Sequence, residues 1–68
     1  MNGAEFIRKI TKLGRKNSVK VWVDTQQGKG SHVALYYGNH RTTVKHSEIS
    51  TPLLKSMCKQ LNIDHKKL

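Results

Sequence analysis

From residue 6 to residue 13 the apolar positions Phe6, Ile7, Ile10 and Leu13 recur at helical spacing, while Arg8, Lys9 and Lys12 fall off the stripe. The spacing predicts a helix over residues 2–14, with Asn2 as N-cap, Gly14 as the stop, and Arg15 and Lys16 following near the negative end of the helix dipole. Beyond the Asn17-Ser18 connection the rhythm changes to a period of two: Val19, Val21 and Val23 alternate with Lys20, Trp22 and Asp24, which predicts a strand with one buried face. Gln26 to Lys29 reads as a turn. A second strand carries Val33, Leu35 and Tyr37 on one side and His32, Ala34 and Tyr36 on the other. Gly38-Asn39 is a hairpin signal, and Arg41 to Lys45 makes a shorter third strand with Thr42 and Val44 on one face. After His46-Ser47-Glu48-Ile49, Thr51 is expected as an N-cap with Pro52 in the first helical position. Leu53, Leu54, Met57, Cys58 and Leu61 form the apolar face of this last helix, with Lys55 and Lys59 outside. Asn62 ends it, and Asp64 caps a final turn that runs to Leu68.

The order is helix, three strands, helix. The simplest packing is an α+β fold in which a three-stranded antiparallel sheet carries both helices on one face, so that each apolar stripe covers the apolar side of the sheet. The other side, with Lys20, Trp22, His32, Ala34 and Tyr36, is left for solvent or a partner. With 68 residues the chain is expected to be a single domain, residues 1–68, with a thin core.

Charge alters this picture. The chain has 13 Lys and Arg against 4 Asp and Glu, a formal net charge of +9, which favours a polyanion such as nucleic acid. The alternatives are an acidic protein partner or a merely soluble basic surface. No run of about 20 apolar residues is present for a membrane helix, and the first residues lack the pattern of a secretion signal. One cysteine, Cys58, cannot form an internal disulfide, so a cytoplasmic setting is expected.

The chemically richest segment is Gln27-Gly28-Lys29-Gly30-Ser31-His32. Its glycines permit a tight turn and close approach of a phosphate, and histidine, which follows them, is the side-chain type whose unperturbed pKa suits proton transfer near neutral pH. On pattern alone His32 is either a solvated strand residue or a proton-transfer group, and Lys29 either a hairpin tip or a phosphate ligand. Ser31 and His32 point to opposite faces and are no nucleophile–base pair. Trp22 and Tyr36 either stack on bases or shield the sheet as cross-strand neighbours. His40, His46 and His65 match no zinc spacing, so no metal and no cofactor is expected. Met57 and Cys58 read as core. Arg8, Lys9, Lys12, Arg15 and Lys16 are either a solvated helix face or a track for a phosphate backbone.

Four motifs in this order resemble the HicA family of bacterial toxins: Asn2-Gly3-Ala4-Glu5-Phe6 at the start of helix one; Lys29-Gly30-Ser31-His32-Val33, like the family's Gly-Ser-His signature; Arg41-Thr42-Thr43-Val44-Lys45-His46, similar to its third strand; and Leu53 to Ile63, similar to its last helix. Lys45 stands where the family usually has proline, and Ser50-Thr51-Pro52 where a glycine-threonine is common. The resemblance implies a double-stranded-RNA-binding-domain-like fold. It also implies a metal-independent endoribonuclease that cleaves mRNA and halts translation, neutralised by a HicB-like antitoxin. It makes His32 the catalytic residue, acting as general acid/base. RNA contacts are then expected from Lys29, Gly30, Ser31, Lys20, Arg8 and Lys12, and His46 echoes a family position at the entrance of the last helix; the sequence does not identify the second proton-transfer group, for which Lys20, Tyr36 and His40 are candidates by position only. The rival from another class is a non-catalytic double-stranded-RNA-binding module, which has no use for the histidine.

Overall fold

A computed structural model describes residues 1–25 and 32–68: α1 (Gly3–Asn17), β1 (Val21–Asp24), β2 (His32–Tyr37), β3 (His40–Lys45), α2 (Thr51–Gln60) and a 3-10 turn at His65–Lys67. The three strands form one antiparallel sheet in the order β1-β2-β3. Phe6 and Ile10 from α1, Val33, Leu35 and Tyr37 from β2, Val44 from β3, and Met57 and Cys58 from α2 share one core with Leu61 and Ile49. Both helices therefore cover the same face, as the alternation in the strands requires. Phe6, Ile10, Leu35, Val44 and Leu61 are fully buried, each stabilising the fold by roughly 1.5–3 kcal/mol.

Asn2 caps α1, its side chain accepting from the Glu5 N–H at 2.8 Å. The helix does not stop at Gly14. It continues to Asn17 and closes at Ser18, which adopts the left-handed conformation (φ 56°). The glycine serves packing instead. A Cβ there would strike the Val21 side chain and lie 2.8 Å from the Val19 carbonyl oxygen, so α1 can lie directly on the entry to β1. The Val19 N–H donates to the Gly14 carbonyl at 2.8 Å and fixes that corner. Arg15 and Lys16 thus occupy the last helical turn, where the dipole favours cations.

β1 is a four-residue edge strand whose Val21 packs on the core beside Gly14, whereas Val23 is not among the residues packed there. Val23, expected on the buried face, is accordingly 38% exposed. Gly38-Asn39 forms the two-residue turn between β2 and β3, with Gly38 at positive φ and its N–H donating to the Lys20 carbonyl at 2.8 Å. Among the described residues no buried side-chain nitrogen or oxygen lacks a hydrogen-bond partner: Thr42 Oγ1 donates to Gln60 Oε1 at 2.6 Å, and Asn17 Nδ2 donates to the Tyr37 hydroxyl at 3.0 Å.

The cap of α2 lies one residue before the expected one. Ser50 is extended and its Oγ accepts from the Leu53 N–H, so Thr51 is the first helical residue. Leu53, at the rim of the apolar stripe in the first turn, is 48% exposed. Asn62 (φ 59°) closes the end, with the Ile63 N–H donating to the Cys58 carbonyl, and Asp64 caps the last turn through the Lys66 N–H. The connection from β3 to α2 is held by the chain start: the Gly3 N–H donates to the Ser47 carbonyl, the Ile49 N–H donates to the Met1 carbonyl, and the terminal ammonium pairs with Glu48.

Candidate functional site

Antiparallel register arranges the uncovered face of the sheet in rungs. Trp22, Tyr36 and Arg41 form one rung, Asp24, Ala34 and Thr43 the next, and His32 pairs with Lys45 on the third. His32 is exposed and lies on the side opposite Val33 and Leu35, as its parity requires. Ala34 is buried despite sharing that side, because a single methyl lies below the level of its longer neighbours.

Two charged residues join His32 there that the sequence reading did not single out. Lys45 is its direct cross-strand partner and is exposed; Cβ atoms of such pairs are about 4.5–5.5 Å apart. Asp24, paired with Ala34, shares the face one rung further on. An imidazole, an ammonium and a carboxylate thus occupy adjacent positions of one rigid surface. The signal for Lys45 was present: a two-residue turn at Gly38-Asn39 pairs residue 32 with residue 45 by counting alone. The signal for Asp24 was weaker, because its register depends on a longer hairpin.

Other expected groups lie further away. Lys20 is level with Gly38, six residues along β2 from His32; at about 3.4 Å per residue that is roughly 20 Å. Tyr36 lies four residues from His32, roughly 13 Å by the same measure. Neither reaches a phosphate held at His32. His40 pairs with Tyr37 at the far end of β3 and has the parity of the core-facing Thr42 and Val44, so it is not on the His32 face at all. Arg8 and Lys12 belong to α1, on the helix side of the sheet, and both are exposed. Lys29, Gly30 and Ser31 lie outside the described residues.

Trp22 and Tyr36 stack on each other, with ring centroids 4.8 Å apart and planes within 3°, and Lys20 Nζ lies 5.3 Å from the Trp22 ring centroid. The inner ring faces are used up by this pair, which favours the shielding role and leaves a wall at one end of the surface that carries His32. His46 is exposed beside the start of α1, its Cα close to Gly3. Among the described residues no group of three His, Cys, Asp or Glu side chains is placed to hold a metal ion. Cys58 is buried in the core; burial pushes its thiol upward in pKa, with the Asp64 carboxylate adding to the shift, so the unreactive protonated form is favoured. No helix among the described residues is long and apolar enough to cross a membrane.

A family model described as HicA toxin of bacterial toxin-antitoxin matches residues 3–63, nearly the whole chain. Neither the curated proteins nor the solved structures contain a match.

Proposed function

Because this chain belongs to the HicA toxin family, we propose that it is the RNA-cleaving toxin of a toxin–antitoxin pair, acting on mRNA in the cytoplasm with His32 as general base and a HicB-like protein as its antitoxin. The observation that carries this reading is the exposed His32 opposite Lys45 on the face that the helices leave open.

RNA brings its own nucleophile. The 2′-hydroxyl gives its proton to the His32 imidazole and its oxygen forms a bond to phosphorus. The bond from phosphorus to the 5′-oxygen breaks, and that oxygen leaves with a proton from the resulting imidazolium or from water. The products are a 2′,3′-cyclic phosphate and a 5′-hydroxyl, and no metal takes part. A positioned base contributes about 10²–10⁴-fold. Lys45 faces the phosphate from the neighbouring strand and offsets the charge that grows on its non-bridging oxygens. The antitoxin silences the toxin most simply by covering this face.

The test is incubation of the purified chain with RNA in EDTA. Cleavage with cyclic-phosphate ends, lost in His32→Ala at unchanged circular dichroism, is the expected result. Equal growth arrest by wild type and His32→Ala would instead identify a non-catalytic RNA binder.

A further inference from the structure

Away from the sheet face, α1 and the C-terminal 3-10 turn enclose a groove of about 530 Å³ lined by Lys9, Lys12, Lys16, Lys67, Leu13 and Leu68, with Asn17 at one end. Four lysines line it, and among the described residues no Asp or Glu side chain does. The three lysines of α1 are separated by three and four residues, or roughly 4.5 and 6 Å along the helix axis, and therefore make one row. Arg8 and Arg15 are not among the lining residues, so the structure divides the basic residues of α1 into a groove row and an outward row. Leu13 and Leu68 add apolar surface to the lining, against which the lysine stems can lie.

The row does not end with the helix. Ser18, in the left-handed conformation, turns the chain from α1 into the sheet, and Lys20 stands just past the corner, on the open face beside Trp22. Lys16 and Lys20 are four residues apart, so their Cα atoms are at most about 14 Å apart. Lysine positions thus run from the groove to the edge of the sheet at β1, on the face that carries His32 further along β2. A row of cations that turns from the helix side toward the open face suits a flexible phosphodiester chain. It suits a folded acidic protein less, because protein interfaces are depleted in lysine.

We infer that the groove is an anchoring site for the phosphate backbone of single-stranded RNA, remote from the scissile bond, with Lys20 at the edge the strand crosses on its way to the open face. This rests on the ribonuclease reading above, since the anchored strand is the one presented to His32. The site holds RNA without reading its sequence. It contributes to KM and leaves kcat unchanged, because its residues lie on the helix side of the sheet.

The experiment measures binding of a fluorescent 2′-O-methyl oligoribonucleotide, which lacks the attacking hydroxyl and stays intact, over a range of salt concentrations. Its length of about 16 nucleotides is the upper end of what small single-strand-binding folds occupy. Lys9→Gln, Lys16→Gln and Lys67→Gln are combined in one variant. Lys55→Gln, Lys59→Gln and Lys66→Gln, outside the groove lining, are combined in a control with the same change of net charge. Each lost phosphate contact lowers the slope of log K against log salt by about 0.7, so the groove variant is expected to lose about 2 and the control much less. Its KM for cleavable RNA rises at unchanged kcat. Equal losses in both variants, or none in either, overturn the groove while leaving the nuclease intact. A wild-type chain that neither binds nor cleaves RNA overturns both readings. A groove variant that binds RNA normally but no longer captures the antitoxin overturns the inference in favour of an acidic protein segment.

Discussion

Neighbouring residues of β2 meet opposite demands. Val33, Leu35 and Tyr37 face the helices and are buried, whereas His32 and Tyr36 face outward on the same strand. The inward set is chosen for volume: each side chain fills space between the sheet and the helices that cover it, and one methyl more or less is felt. The outward set is chosen for what it can touch, and its packing is slight. A strand thus carries core and chemistry one residue apart, and substitution separates them cleanly.

The largest effect is expected at His32. His32→Ala should lower RNA cleavage by about 10²–10⁴-fold while leaving the melting temperature nearly unchanged, since exposed substitutions usually cost less than about 0.5 kcal/mol. Leu35→Ala is the mirror experiment. It should cost about 2–5 kcal/mol in denaturant titration, enough to unfold a domain of this size, and any lost activity should follow the unfolded fraction. Gly14→Ala tests where helix meets sheet. The added methyl meets Val21 and the Val19 carbonyl, so a loss of about 1–3 kcal/mol is expected, although alanine is the better helix former. A variant as stable as wild type would show that α1 does not press on β1 as described. Lys45→Gln should slow cleavage about tenfold, near 1.4 kcal/mol of transition-state stabilisation, with kcat affected more than KM; an unchanged kcat would remove Lys45 from the reacting phosphate. Trp22→Ala should have the smallest effect, about 0.5–1.5 kcal/mol of stability for the lost ring pair, with a KM for RNA close to wild type. A large rise in KM there would reinstate base stacking on the open face.

The two periodicities made most of this fold legible in advance. Period two in β1 to β3 and helical spacing in α1 and α2 dictated the layers, and Asn2, Asn62 and Asp64 fell where capping chemistry put them. The misplacements share one cause, which is tertiary contact overriding a local signal. Gly14 looks like a helix terminator, but the approach of β1 gives it another use. Ser50 takes the cap from Thr51 because its backbone is extended and its hydroxyl reaches Leu53. Val23 and Leu53 fit their apolar patterns yet lie beyond the reach of the opposing layer. Within the site, His32 could be put on the correct side from parity. Its neighbours could not be chosen without register, which brings Lys45 and Asp24 onto its surface and removes His40. Lys20 remained attractive in the sequence because nearness along the chain says little about distance along a sheet.

The lone sulfhydryl in the core has a practical consequence. A thiol-specific dye can reach it only when the chain opens, so the labelling rate counts open molecules directly. Run beside each activity assay, that count would separate a toxin that has lost its chemistry from one that has lost its shape, without engineering a labelling site into so small a protein.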